Sequence, residues 1–141
     1  MAADARGGLH HLEIWVADLG AAERSWGWLL ERLGYAVRDR WADGVSWGRG
    51  VGPYVVLEAG PDVASSPHDR LRPGLNHLAF HAGARSDVDA LTRAAPSHGW
   101  TLMFPHQHPH AGGPTHYAAY LDNTDGYEVE LIADAVQPPS C

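Results

Sequence analysis

The sequence predicts an α+β fold: two βαβββ modules forming one curved, cup-shaped mixed sheet. Three observations predict it. A short phrase occurs twice, Leu9-His10-His11-Leu12 and Leu75-Asn76-His77-Leu78. Each phrase opens a segment that reads as strand, helix and three further strands. Each segment closes on a strand ending in an acid, Glu58 in the first and Glu130 in the second. The modules run over residues 9–60 and 75–133 of one domain, 9–133. Residues 1–8 and 134–141 are expected to be flexible ends.

In the first module, residues 9–16 alternate as a strand. Leu12, Ile14 and Val16 share one face with His10, and His11, Glu13 and Trp15 share the other. Asp18 has the side chain to cap the next helix. Ala22, Trp26, Leu29, Leu30 and Leu33 recur there at helical spacing, and Gly34 stops it. Residues 35–41, 45–49 and 54–58 read as strands, separated by Asp43-Gly44 and by the Gly/Pro stretch 50–53. Residues 60–74 form a polar connector.

The second module repeats the plan. Residues 75–82 form a strand. Ser86 is the predicted cap of a helix with Val88, Leu91 and Ala95 inward, ending near Gly99. Residues 100–104, 116–121 and 127–132 are the remaining strands. The stretch 105–114, PHQHPHAGGP, reads as a polar loop suited to a lid, because Pro109 and the close His spacing disfavour a regular element. Neither module alone buries enough surface to be a convincing domain.

Alternation selects the candidate site. His77, Ala79 and His81 fall opposite Leu78 and Phe80. Glu128, Glu130 and Ile132 fall opposite Val129 and Leu131. His11, His77 and Glu130 can therefore share the concave face. Two imidazoles and a carboxylate suit a divalent metal with open coordination positions, with Zn, Fe, Ni and Mn all compatible. His116 and Tyr120 share a parity and can line the same face. His81 lies ~13 Å from His77 along the strand, too far to bind the same ion. Glu58 depends on register. Aligning residues 55–58 with 127–130 pairs Glu58 with Glu130. Aligning Tyr54 with Tyr127 pairs Leu57 with Glu130 and turns Glu58 away.

Composition narrows the function classes. The net charge is −7, and no basic stripe appears, which argues against nucleic acid and anionic membrane as partners. No apolar run approaches the ~20 residues of a membrane helix. The N-terminal residues lack the apolar core of a signal peptide, so a cytoplasmic location is expected. The single cysteine, Cys141, allows no internal disulfide. Ten histidines are many for 141 residues and favour metal or proton chemistry on a small-molecule substrate. Arg70 and Arg72 are expected in a solvated loop.

Three motifs then resemble one family. They are L-x-H-L-x-x-x-V-x-D-L over residues 9–19, L-N-H-L over 75–78, and D-G-Y-E-V-E-L over 125–131. Together they resemble the vicinal oxygen chelate superfamily, which includes glyoxalase I, fosfomycin- and bleomycin-resistance proteins and extradiol dioxygenases. Thr124 stands where that family's closing motif has proline. The resemblance implies a glyoxalase-like fold, a homodimer, and a divalent metal chelated by two substrate oxygens. His11, His77 and Glu130 match the metal triad of the fosfomycin-resistance branch. Glu58 would match the extra carboxylate of the glyoxalase I branch, as a metal ligand and proton carrier. Tyr120 matches an active-site tyrosine, and His116, of the same strand parity, is a further catalytic candidate. The implied reaction is that of a lyase or isomerase, a transferase or hydrolase, or a dioxygenase. The alternative is a protein that sequesters a drug or metabolite.

Overall fold

A computed structural model describes residues 5–134. The chain divides at Ser65/Ser66 into two compact units, each built on the predicted plan. Each unit has its own four-stranded mixed sheet. Among the described residues, no helix is long and apolar enough to cross a membrane. Of the expected flexible ends, residues 5–8 are described, and Gly8 N donates to the Ala5 carbonyl there (3.0 Å). The stretches 1–4 and 135–141 lie outside the described residues.

In the first unit the elements are β1 (His11–Trp15), α1 (Leu19–Ala22), α2 (Trp28–Arg32), β2 (Ala36–Trp41), β3 (Gly44–Gly48) and β4 (Tyr54–Glu58). Asp18 caps α1 as its side chain predicts, accepting from Ala21 N at 2.9 Å. A π-helical segment, Glu23–Gly27, carries α1 directly into α2. A Cβ at Gly27 would stand 3.2 Å from the Trp47 ring, so the glycine lets the helix lie close on the sheet. Gly34 ends the helix with φ +92°, a left-handed conformation that glycine adopts without penalty.

The strand order is β1-β4-β3-β2, with β1 parallel to β4 and the other pairs antiparallel. Ile14, Val45, Trp47, Val55 and Leu57 line the helix side and are buried with Ala22, Trp26, Leu29 and Leu30. This one-sided burial is what a period of two on strands and 3.6 on the helix demands.

The second unit contains β5 (His77–His81), α3 (Arg85–Ala94), β6 (Trp100–Leu102), β7 (Ala118–Asn123) and β8 (Glu128–Ile132). Its order, β5-β8-β7-β6, repeats that of the first unit. Ser86 is not the cap of α3. The N-cap is Ala84, and the Asp87 side chain accepts from Ala84 N at 2.8 Å. An acid three residues into the first turn does that work, so the helix begins ahead of the serine. The predicted inward residues Val88, Leu91 and Ala95 are buried with Trp100, Ala119, Leu121, Val129 and Leu131.

Trp26 is fully buried at the centre of the first unit. Trp26→Ala is expected to cost about 3–5 kcal/mol in urea unfolding. A loss below about 1 kcal/mol would show that this face is not core.

Candidate functional site

In the second unit, the sheet face away from α3 collects the polar side chains. The parallel register sets His77 against Glu128 and Ala79 against Glu130. The antiparallel register sets Tyr120 against Glu130. Side chains of like parity therefore converge on the Glu130 carboxylate, which is only 8% exposed. His77 Nε2 lies 3.2 Å from Glu130 Oε1, and His116 Nε2 lies 2.5 Å from Oε2. The Tyr120 phenol hydrogen-bonds to the same carboxylate. The His77 and Tyr120 rings meet edge to face at 6.1 Å. His77, His116, Tyr120 and Glu130 are thus brought together.

Asn76 decides how His77 presents itself. Asn76 Nδ2 donates to the Arg70 carbonyl at 3.0 Å. Its Oδ1 therefore faces His77 Nδ1, at 2.7 Å. An amide oxygen only accepts, so Nδ1 carries a proton and donates, and Nε2 is the ring nitrogen that faces Glu130. A carboxylate also only accepts. A proton on Nε2, or a cation bridging Nε2 and Oε1, satisfies the pair. Among the described residues, no three His, Cys, Asp or Glu side chains form a complete ligand cluster. The donor set itself, imidazole nitrogen and buried carboxylate, fits a divalent cation.

Two neighbouring features frame this centre. Glu128 is buried, and Arg70 NH1 stands 3.2 Å from its Oε2 without the alignment of a hydrogen bond. Arg70 is therefore not the solvated loop residue that the sequence suggests: a buried carboxylate calls a cation to it. The predicted loop is a series of turns, tied by Ala118 N donating to the Pro109 carbonyl (3.0 Å) and by His116 N donating to the Gly113 carbonyl (3.2 Å). His110 Nδ1 donates to the His116 carbonyl at 3.1 Å. A Cβ at Gly112 would fall 2.6 Å from the Tyr120 hydroxyl and from the His116 ring. Only glycine lets this loop approach the site so closely.

In the first unit, His11 is exposed and stacks on Tyr54 at 4.8 Å, nearly parallel. His10 is not under the helix. It lies exposed ahead of β1, with its Nδ1 2.9 Å from His11 Nδ1, because alternation holds only inside the strand. Glu58 follows neither predicted register. His11 pairs with Tyr54, and Glu58 pairs with Trp15. The position that corresponds to Glu130, two past the partner of the histidine, is Val56. Glu58 keeps the face of His11 but lies ~13 Å farther along the ladder, which removes it as a co-ligand of His11. β4 enters its ladder two residues earlier, relative to its acid, than β8 does.

Asn76 is the residue that reading by faces missed. Its signal is its place in the repeated phrase, where an amide directly precedes the histidine. His81 is exposed and faces Asp134 (2.9 Å).

The comparisons agree with this architecture. Residues 10–120 match the family model described as the glyoxalase/bleomycin resistance protein/dioxygenase superfamily, a stretch that includes His77, His116 and Tyr120 and stops short of Glu130. YqjT, an uncharacterized protein of Bacillus subtilis (strain 168), is 39% identical over 133 residues, covering 94% of this chain and 100% of YqjT. The crystal structure of a candidate glyoxalase from Bacillus halodurans has 39% identity and a TM-score of 0.86, over 92% of this chain and 98% of that one. A glyoxalase/bleomycin resistance protein from Albidiferax ferrireducens T118, at 19% identity and TM-score 0.70 over 90% and 98% of the two chains, shares the fold.

Burial first, then the charge of Glu130 and the hydrogen bond to it, raise the Tyr120 phenol above its ordinary value of 10.0. A raised phenol contributes stability that is full below the ordinary tyrosine value and is lost as pH rises through the folded one. The difference in alkaline ultraviolet titration between wild type and Tyr120→Phe is expected to show a late-ionising phenol. Glu130→Gln should move that ionisation downward. A Tyr120 that titrates like free tyrosine would contradict the geometry.

Proposed function

Because the chain belongs to the glyoxalase/bleomycin resistance protein/dioxygenase superfamily, we propose that it is a divalent-metal-dependent enzyme acting on a small molecule with two neighbouring oxygens. The observation that carries this reading is the convergence of His77 Nε2 and His116 Nε2 on the buried Glu130 carboxylate. His77 and Glu130 would hold the cation, with His116 Nε2 beside them. Imidazole and carboxylate donors suit Zn, Fe, Ni or Mn. A bound cation supplies Lewis-acid polarisation of a substrate oxygen.

The chain's own groups supply the rest. The Tyr120 phenol stays neutral at ordinary pH and can donate to an oxygen that gains negative charge. His116 is an imidazole at hydrogen-bond distance from Glu130, suited to carry a proton. Asn76 fixes the His77 ring through Nδ1 and leaves Nε2 to face the carboxylate. The Gly112 loop shields Tyr120 and His116. An acid–base group beside a polarised oxygen favours moving a proton next to a carbonyl, the lyase or isomerase form of the reading, over oxygen chemistry. The homodimer is part of this proposal. β1 and β5 are edge strands of their sheets, and sedimentation near twice 15.3 kDa tests it.

Metal analysis of tag-free protein is the decisive test. Wild type and His81→Ala are expected to carry similar metal, because His81 is on the same strand but faces Asp134. His77→Ala and Glu130→Gln should lose most of it. Equal metal content in wild type and His77→Ala would overturn the proposal. Asn76→Ala should weaken metal affinity by roughly 10–100-fold while the ligands remain, as read by competition with a chelator.

A further inference from the structure

The first unit contains a cavity of about 550 Å³, bounded by His10, Arg38, Tyr54 and the turn at 50–53. Acids outnumber bases in the chain by 17 to 10, yet none of the described residues lining this cavity is acidic. Its one fixed cation is Arg38. The guanidinium lies 4.0 Å over the Tyr54 ring. Its stem runs across Gly48, where a Cβ would fall 2.6 Å from Arg38 Cδ. The side chain is therefore laid down by a glycine below it and an aromatic ring beside it. Arg40, Arg70 and Arg72 each have a carboxylate partner. Among the described residues, no ion pair engages Arg38, so the N–H groups of its fork are not taken up by an acid. Leu9 and Val51, two of the most exposed large apolar side chains of the unit, stand at the cavity rim.

A positioned arginine without an acid, a ring beside it and apolar residues at the edge describe a receptor for one kind of ligand. We propose that this cavity binds a small oxyanion, a carboxylate or phosphate carried on an apolar body. Arg38 would grip the oxyanion through two parallel N–H groups, and Leu9, Val51 and Tyr54 would cover the body. This site is separate in its residues from the His77–Glu130 centre and does not depend on a metal there.

The test titrates benzoate, phenyl phosphate and the neutral benzyl alcohol into the full-length protein, read by backbone amide shifts. At least one anionic probe is expected to saturate, with shifts at Gly48, Gly50–Gly52 and Tyr54. Whichever anion binds more tightly identifies the oxyanion. Arg38→Gln should weaken that anion about tenfold or more and leave benzyl alcohol unchanged. Arg38→Lys should recover only part of the loss, because lysine keeps the charge without the fork. The proposal is overturned if neither anion saturates, if Arg38→Gln binds both as wild type does, or if the shifts centre on His77 and Glu130. Normal metal content alongside any of these results would leave the metal proposal standing.

Discussion

The parallel pairing of the first strand of each unit with its last, β1 with β4 and β5 with β8, is the constraint on which the rest depends. Parallel neighbours cannot be joined by a tight turn, so the intervening chain must cross back over the sheet. In both units that crossover begins with the helix, which seals one face. The opposite face is then the only place where polar side chains can gather without entering the core. The same pairing sets the register, and register decides which side chains become neighbours. In the second unit it puts His77 beside Glu128 and two positions from Glu130, on the same face. β7, added antiparallel to β8, supplies Tyr120 opposite Glu130, and the loop before it supplies His116.

Faces were legible in the sequence, because a period of two is a local property. The separation of His77, Glu128 and Glu130 from Leu78, Val129 and Leu131 follows from alternation alone. The cap at Asp18 and the stop at Gly34 were legible for the same reason, since each acts within a few residues of itself. Register was not legible. It is fixed between strands that are distant in sequence, His11 with Tyr54 and His77 with Glu128, by how the crossover packs, and a repeat phrase marks only where each unit starts. Glu58 shows the cost. Neither its face nor its ladder position, opposite Trp15, could be argued without the register. Partners from irregular chain were equally hidden. Asn76 orients His77, and Arg70 answers Glu128, because buried groups needed them, and burial is known only once the fold is formed.

The comparison of corresponding positions bears on why Glu130 is an acid. Burying a carboxylate is costly unless a cation or several donors meet it. Glu128, two residues back on the same face of β8, is met by Arg70. Glu130 is met by two imidazoles and a phenol. The fold does not require an acid at that position. The first unit builds the same sheet with Val56 in the corresponding place, buried and apolar. Replacing a buried polar centre by packed hydrophobic residues is often neutral or stabilising. Packing therefore gives no reason to keep Glu130 among His77, His116 and Tyr120. The proposed cation would give that reason, and the raised Tyr120 phenol beside it would supply a hydrogen-bond donor to the oxygen that the cation polarises.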